Sequence, residues 1–189
     1  MEPTRVSELI VNQTWDGQPI DADERARVTL EQSREGLRVE VHASFHGDPP
    51  PPNPPGSTDR LWEYEVVELF LLGTEQQYLE LELGPHGHYL ALRLRGPRNL
   101  EESGLALEYQ ARLKGDRWTG RAQLPSSYLP ASYLASGPTA ANAYAIHGQG
   151  SRRRYLAAHP VPGPHPDFHR LGCFRPLVWK ELNPDPEDG

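Results

Sequence analysis

The sequence predicts an all-β fold, an antiparallel β-sandwich of about nine or more strands with one short helical turn. Three observations carry that expectation. Apolar residues alternate with a period of two over most of the chain, Gly, Pro, Asn and Asp recur at short intervals as turn signals, and no long stretch has the 3.6-residue period of an amphipathic helix. Many short strands with regular turns build sandwiches or barrels, whereas βαβ units need helical crossovers between strands.

Residues 25–32 and 37–45 read as a hairpin, with Gly36 in the turn free to take a positive φ. The proline-dominated segment 48–56 lacks the N–H groups of a ladder and is expected to be an extended, exposed loop, with an interdomain linker as the other reading. Residues 63–72 form the strongest strand. Val67, Leu69 and Leu71 share one face while Tyr64, Val66, Phe70 and Leu72 share the other, so the strand should be central and covered on both sides. Glu68 interrupts the second face, where a carboxylate is costly unless it is paired or reaches water. Residues 77–83 and 89–95 read as a hairpin around Pro85, His86 and Gly87, with one apolar and one polar face. Glu80 and Glu82 are expected across from Arg93 and Arg95. Residues 105–113 and 118–124 read as another hairpin, 125–134 as a short helical turn, and 142–147 and 154–158 as short strands. Segment 167–173 is irregular, and 174–179 reads as a last strand.

A chain of 189 residues suits a single sandwich domain, here residues 1–182, with a disordered tail at 183–189. At this length folding buries roughly 70% of the unfolded surface, so no disulfide or metal staple is required. Cys173 is the only cysteine. Residues 1–17 lack the apolar core of a signal peptide, and no run approaches the roughly 18 apolar residues of a membrane span. A soluble, cytoplasmic, monomeric protein without membrane contact is the expectation. The net charge of −7, with one short basic run at Arg152, Arg153 and Arg154, disfavours nucleic acid, because binding phosphate backbones depends on Lys and Arg displacing counterions.

Four ordered motifs carry a resemblance. Residues 62–71, from Trp62 through Glu68 to Leu71, resemble the central strand of the family 9 carbohydrate-binding modules and their DOMON-like relatives, in which a Trp or Asp precedes a Glu-Val-Phe-Leu strand. Tyr78 and Glu80 with the following Gly87 turn, and Trp118 with Leu124 and Pro125, are similar to two further strands of those modules. The run 14–17, the Pro-rich loop, residues 62–68 and the run 166–169 also resemble a small family shared by vertebrates and bacteria that has no assigned activity. The resemblance covers about residues 12–178 and implies a sandwich of the carbohydrate-binding kind.

Several side chains are candidates for chemistry. Trp118 is expected in the core, whereas Trp62, beside the Pro-rich loop, could offer a flat face to a sugar ring. Glu65 and Glu68 point to opposite faces and cannot flank one bond; Glu68 with Glu80 or Glu82 on a neighbouring strand could. The alternative is a buried carboxylate holding an Arg or a loop backbone. His86 with His88, and His165 and Asp167 with His169, have spacings that could present metal ligands, but prolines 160, 162, 164 and 166 break any strand there. Structural hydrogen bonding, with Asp167 capping backbone N–H groups and His169 packed under the loop, is the other reading. No nucleophile elbow or phosphate loop is present, and no cofactor is expected. The expected ligand is a small carbohydrate or glycan in a cleft at one end of the sandwich, touched by Trp62, Tyr64, Glu68, His86, His147, Arg154, Asp167 and His169. The alternatives are a metal-assisted hydrolase or lyase on the same fold, and an intracellular protein-interaction module that presents the Pro-rich loop.

Overall fold

The computed structural model describes residues 4–33, 35–134 and 139–182; the tail at 183–189 lies outside them. Two β-sheets face each other. The six-stranded sheet contains β1 (Arg5–Val11), β3 (Ala26–Ser33), β4 (Gly36–Ser44), β10 (Glu108–Lys114), β11 (Arg117–Pro125) and β15 (Lys180–Glu181), in the order β10-β11-β4-β3-β1-β15. The nine-stranded sheet contains β2 (Gln13–Thr14), β5 (Gly56–Ser57), β6 (Val66–Leu72), β7 (Gln77–Leu83), β8 (His88–Arg95), β9 (Leu100–Ser103), β12 (Ala140–His147), β13 (Arg154–Ala157) and β14 (Arg175–Pro176). Its main order is β2-β13-β12-β6-β7-β8-β5, with β14 on β12 and β9 on β8. Pairing is antiparallel except for the two-residue β5–β8 ladder. Among the described residues, helix is confined to 3-10 turns and α1 (Ala131–Leu134). Strand β1 carries less regular alternation than its neighbours and escapes the sequence reading, although it buries Ser7, Leu9 and Val11.

The core between the sheets follows period-two alternation. Val28, Leu30, Leu37, Val39, Val41, Trp118 and Leu124 meet Val67, Leu69, Leu71, Leu79, Leu81, Leu83 and the alanines of β12. Trp118 is 2% exposed, so this indole is packing. The other face of the nine-stranded sheet has a second core made of Val66, Phe70, Tyr78, Leu90, Leu94, Tyr144, Ile146, Phe168 and Phe174. Strand β6 lies in the middle of its sheet and contributes to both cores, as its two apolar faces require.

The second core corrects one expectation. Glu80 and Glu82 do not sit across from Arg93 and Arg95. The β7–β8 register sets Glu80 opposite Leu92 and Glu82 opposite Leu90, and both glutamates are buried. Arg93 pairs with Glu102 and Arg95 with Glu101 and Glu75 instead. The face that alternation marks as polar is roofed by residues 158–174 rather than wetted.

Residues 61–65 also differ from a continued strand. A 3-10 turn at Leu61–Glu63 precedes β6. It frees Glu65 to accept the backbone N–H groups of His46 (2.9 Å) and Asp48 (3.2 Å), which ties the start of the Pro-rich loop to the sheet. His88 Nε2 lies 2.8 Å from the Asn53 carbonyl oxygen and holds the middle of that loop. The loop is mostly exposed, but Pro51 is buried.

Gly36 opens β4 at φ 142°, paired with Pro125. A Cβ there would collide with the Leu124 carbonyl oxygen. Gly36→Ala is expected to destabilise the fold by about 2–3 kcal/mol, from backbone strain and the clash together. Gly47 also has a positive φ, 81°, but open space around its Cβ position, so Gly47→Ala should cost about 1 kcal/mol. Equal loss for the two variants in urea denaturation would show that the β4–β11 approach does not constrain Gly36.

Candidate functional site

Residues 158–174 reach the outer face of the nine-stranded sheet because buried polar groups hold them there. Asn142 Oδ1 accepts the His159 backbone N–H (2.9 Å), and its Nδ2 donates to the His159 carbonyl (2.8 Å) and to Tyr144 Oη (2.8 Å). Tyr144 Oη in turn donates to the Phe168 carbonyl at 3.2 Å. The Tyr144 and Phe168 rings stack with centroids 3.8 Å apart and planes 4° from parallel. The run Pro166, Asp167, Phe168 and His169 is therefore fixed against the sheet.

Beneath this roof lies a cavity of about 330 Å³ whose lining includes Trp62, Glu68, Glu80, Arg98, Tyr155 and His169. Trp62, on the 3-10 turn, is 39% exposed at the cavity wall. Glu68 and Glu80 come from adjacent strands and are 2% and 4% exposed. Glu82 lies directly across from Glu68 in the ladder and is fully buried. No donor of fixed hydrogen position reaches Glu80 Oε2 or either Glu82 oxygen with normal geometry; a proton held on Glu82 is shared with Glu80, and the Trp62 backbone N–H is directed towards Glu82.

Burial governs the electrostatics. It pushes the Glu80 carboxyl up to about 7. Glu68 and Glu82 are also raised well above the ordinary carboxylate value, first by burial and then by repulsion from the neighbouring glutamates. His169 Nε2 stands 3.8 Å from Glu80 Oε2. Its Nδ1 is 2.7 Å from Tyr78 Oη, which accepts the Arg98 backbone N–H at 3.1 Å. With that acceptor role filled, the phenol donates its proton to Nδ1, and the imidazole proton sits on Nε2, facing Glu80. Burial, helped by Arg98, lowers the His169 pKa to about 4, so the ring is neutral near pH 7. Arg98 pairs with Asp167 at 2.7 Å, and Asp167 also accepts the His169 backbone N–H at 3.2 Å. The site can thus accept hydrogen bonds from a guest and hold a proton near neutrality.

The sequence-predicted residues separate into groups. Trp62, Glu68 and His169 line the cavity, and Asp167 is linked to it through Arg98. Tyr64 is partly buried and uses its carbonyl to accept from Arg153. His86 packs edge-on against Phe45 beside the Pro-rich loop. His147 and Arg154 belong to a different cluster at one end of the space between the sheets. There Arg154 holds Glu24 through two hydrogen bonds of 2.8 and 2.9 Å, and His147 stacks on His46 with centroids 3.5 Å apart. Burial and the neighbouring His46 lower the His147 pKa to about 4. Among the described residues, no three His, Cys, Asp or Glu side chains converge as a metal site. Arg98 and Tyr155 were missed by the sequence reading. Tyr155 had a usable signal, because it alternates with Leu156 in β13, whereas Arg98 lies in a turn without pattern.

No family model matches the sequence. The UPF0462 protein C4orf33 homolog of Rattus norvegicus is 43% identical over 181 residues, which span 91% of this chain and 88% of the relative. The Mus musculus homolog is 41% identical over 93% of this chain and 97% of its own, and the Homo sapiens UPF0462 protein C4orf33 is 40% identical over 91% and 88%. In three dimensions the chain resembles the crystal structure of a Bacteroides uniformis protein proposed to bind carbohydrate. The TM-score is 0.60 over 89% of this chain and 83% of that one; at 16% identity this is a likeness of fold.

The folded protein binds an extra proton at Glu80 between the ordinary value of 4.5 and about 7. The stability linked to this group therefore falls as pH rises through that window and levels off above it. Glu80→Gln keeps the shape of the protonated form. It should gain stability over the parent between pH 5 and 8 by on the order of 1–3 kcal/mol, while the shared histidines cancel in the comparison. Guanidinium denaturation at the two pH values measures the gain, and an identical difference at both would place Glu80 among ordinary carboxylates. The identity and the two-way coverage of the vertebrate relatives show that this chain belongs to the UPF0462 family.

Proposed function

We propose that the protein binds a small carbohydrate or glycan in the cavity on the outer face of the nine-stranded sheet, in the manner of a family 9-like or DOMON-like module. One observation supports this above the others. The cavity combines a half-exposed indole with buried acceptor oxygens that no donor of fixed hydrogen position reaches. A sugar offers matching chemistry, with an apolar ring face to stack on Trp62 and several hydroxyl donors for Glu68 and Glu80. The His169 Nε2–H and the Arg98 guanidinium supply donors to the sugar's oxygens. The likeness of fold to the Bacteroides uniformis protein agrees with this reading.

Burying one aromatic face of ~100 Å² contributes about 2.5 kcal/mol gross at ~25 cal/mol per Å². With a few hydrogen bonds added, affinities in the micromolar to millimolar range are expected. A thermal-shift screen of neutral and charged mono- and disaccharides should raise Tm with at least one of them. Trp62→Ala should weaken that ligand by about tenfold or more and leave the ligand-free Tm within a few degrees, because the indole is at the cavity wall. A screen without any stabilising sugar, or an undiminished affinity in Trp62→Ala, would count against carbohydrate binding at this site.

A further inference from the structure

We infer that the preferred ligand of this cavity is an amino sugar whose primary ammonium group sits against Glu68 and Glu80. The inference rests on the carbohydrate reading and sharpens it to a substrate class.

Three carboxyl groups share one roofed face. Glu68 and Glu82 are direct partners in the β6–β7 ladder, and Glu80 lies two residues along β7 on the same side. Their exposures are 2%, 0% and 4%, and three of their oxygens have no donor of fixed hydrogen position. Such groups are costly as carboxylates, and without a positive partner they take up protons, which a cationic guest would displace.

Among the described residues the neighbouring arginines act on them only through space, Arg153 on Glu68 and Arg98 on Glu80, and neither forms an ion pair with them. Arg98 is paired with Asp167. Arg153 spends its guanidinium on the carbonyls of Trp62 (2.6 Å), Tyr64 (3.2 Å) and Gly148 (3.0 Å). His169 is kept neutral by burial, and the Tyr78 and Tyr144 phenols are pushed further from ionisation by burial as well. The unpartnered carboxyl oxygens therefore lack a direct donor and a directly paired cation. A hydroxyl brings only a donor. A primary ammonium brings three donors and the charge, and its hydrogen bonds to carboxylates are roughly twice as strong as neutral ones. The aromatic lining of Trp62, Tyr155 and Phe168 also favours a cation over a neutral guest. An acidic or phosphorylated sugar would meet the same carboxylates as repulsion.

The test is titration of the full chain at pH 7 with glucosamine, N-acetylglucosamine and glucose, followed by calorimetry or Trp fluorescence. The acetylated sugar keeps the nitrogen and removes its charge. Glucosamine is expected to bind about tenfold or more tightly than either of the others. In Glu80→Gln the ratio of glucosamine to glucose affinity should collapse to within about threefold, and Glu68→Gln serves as the second variant. Equal affinity for the three sugars, a preference for the acetylated one, or a glucosamine preference that survives in both variants would overturn the ammonium assignment. Neutral sugars that bind without such a preference leave carbohydrate binding standing. Silence from all three, and from a wider neutral panel, would remove both.

Discussion

The stack of Phe168 on Tyr144 decides what the outer face of the nine-stranded sheet is. With Asn142 clamping both backbone groups of His159, it holds residues 158–174 over strands β12, β6, β7 and β8. Without that roof, Glu68, Glu80 and Glu82 would stand on a solvated sheet surface as ordinary carboxylates. With it, they are desolvated, their pKa values rise, and a cavity remains where the roof does not reach the sheet. The cavity and its electrostatics both follow from one aromatic contact and the amide that supports it.

The two cores do different work. Between the sheets the packing is mostly aliphatic, Leu, Val and Ala, with Trp118, Tyr89 and Tyr133 as the large exceptions. It supplies the apolar burial that stabilises the fold. The outer core is aromatic, and its polar tips are used: Tyr78 orients His169, and Tyr144 ties down Phe168. Buried groups without partners oppose folding, and Glu80 Oε2 with both Glu82 oxygens brings three such atoms together on this outer face.

Membership in the UPF0462 family and the fold shared with the Bacteroides uniformis protein place the chain among its relatives without assigning an activity. Sandwich folds host many unrelated functions, and the functional reading rests on the chemistry of the site. That chemistry is specific: acceptor-rich, acidic and lined by aromatics, with Arg98 at the wall held by Asp167. The second cluster, around Glu24, His46, His147 and Arg154, satisfies most of its own polar groups and anchors the end of the sandwich.

Sequence alone determined the all-β class, most strand positions, the central place of β6 and the core role of Trp118, because alternation is a local property of the backbone pleat. It also singled out Trp62, Glu68 and His169, which meet at the cavity although 101 residues separate Glu68 from His169. Tertiary structure decided which polar face is wet. Glu80 and Glu82 alternate with leucines as solvent-facing residues do, and only the distant segment 158–174 buries them. A sign was present in β6: a strand apolar on both faces implies a cover, and that cover extends over the strand paired with it. Tertiary structure also separated His147 and Arg154 from the cavity. His147 shares the inner face with Ala143 and Ala145, while Tyr144 and Ile146 face outward. Alternation assigns residues within a strand to opposite sides, but only packing between distant segments sets the environment of each side, and the charge state of a carboxylate depends on that environment.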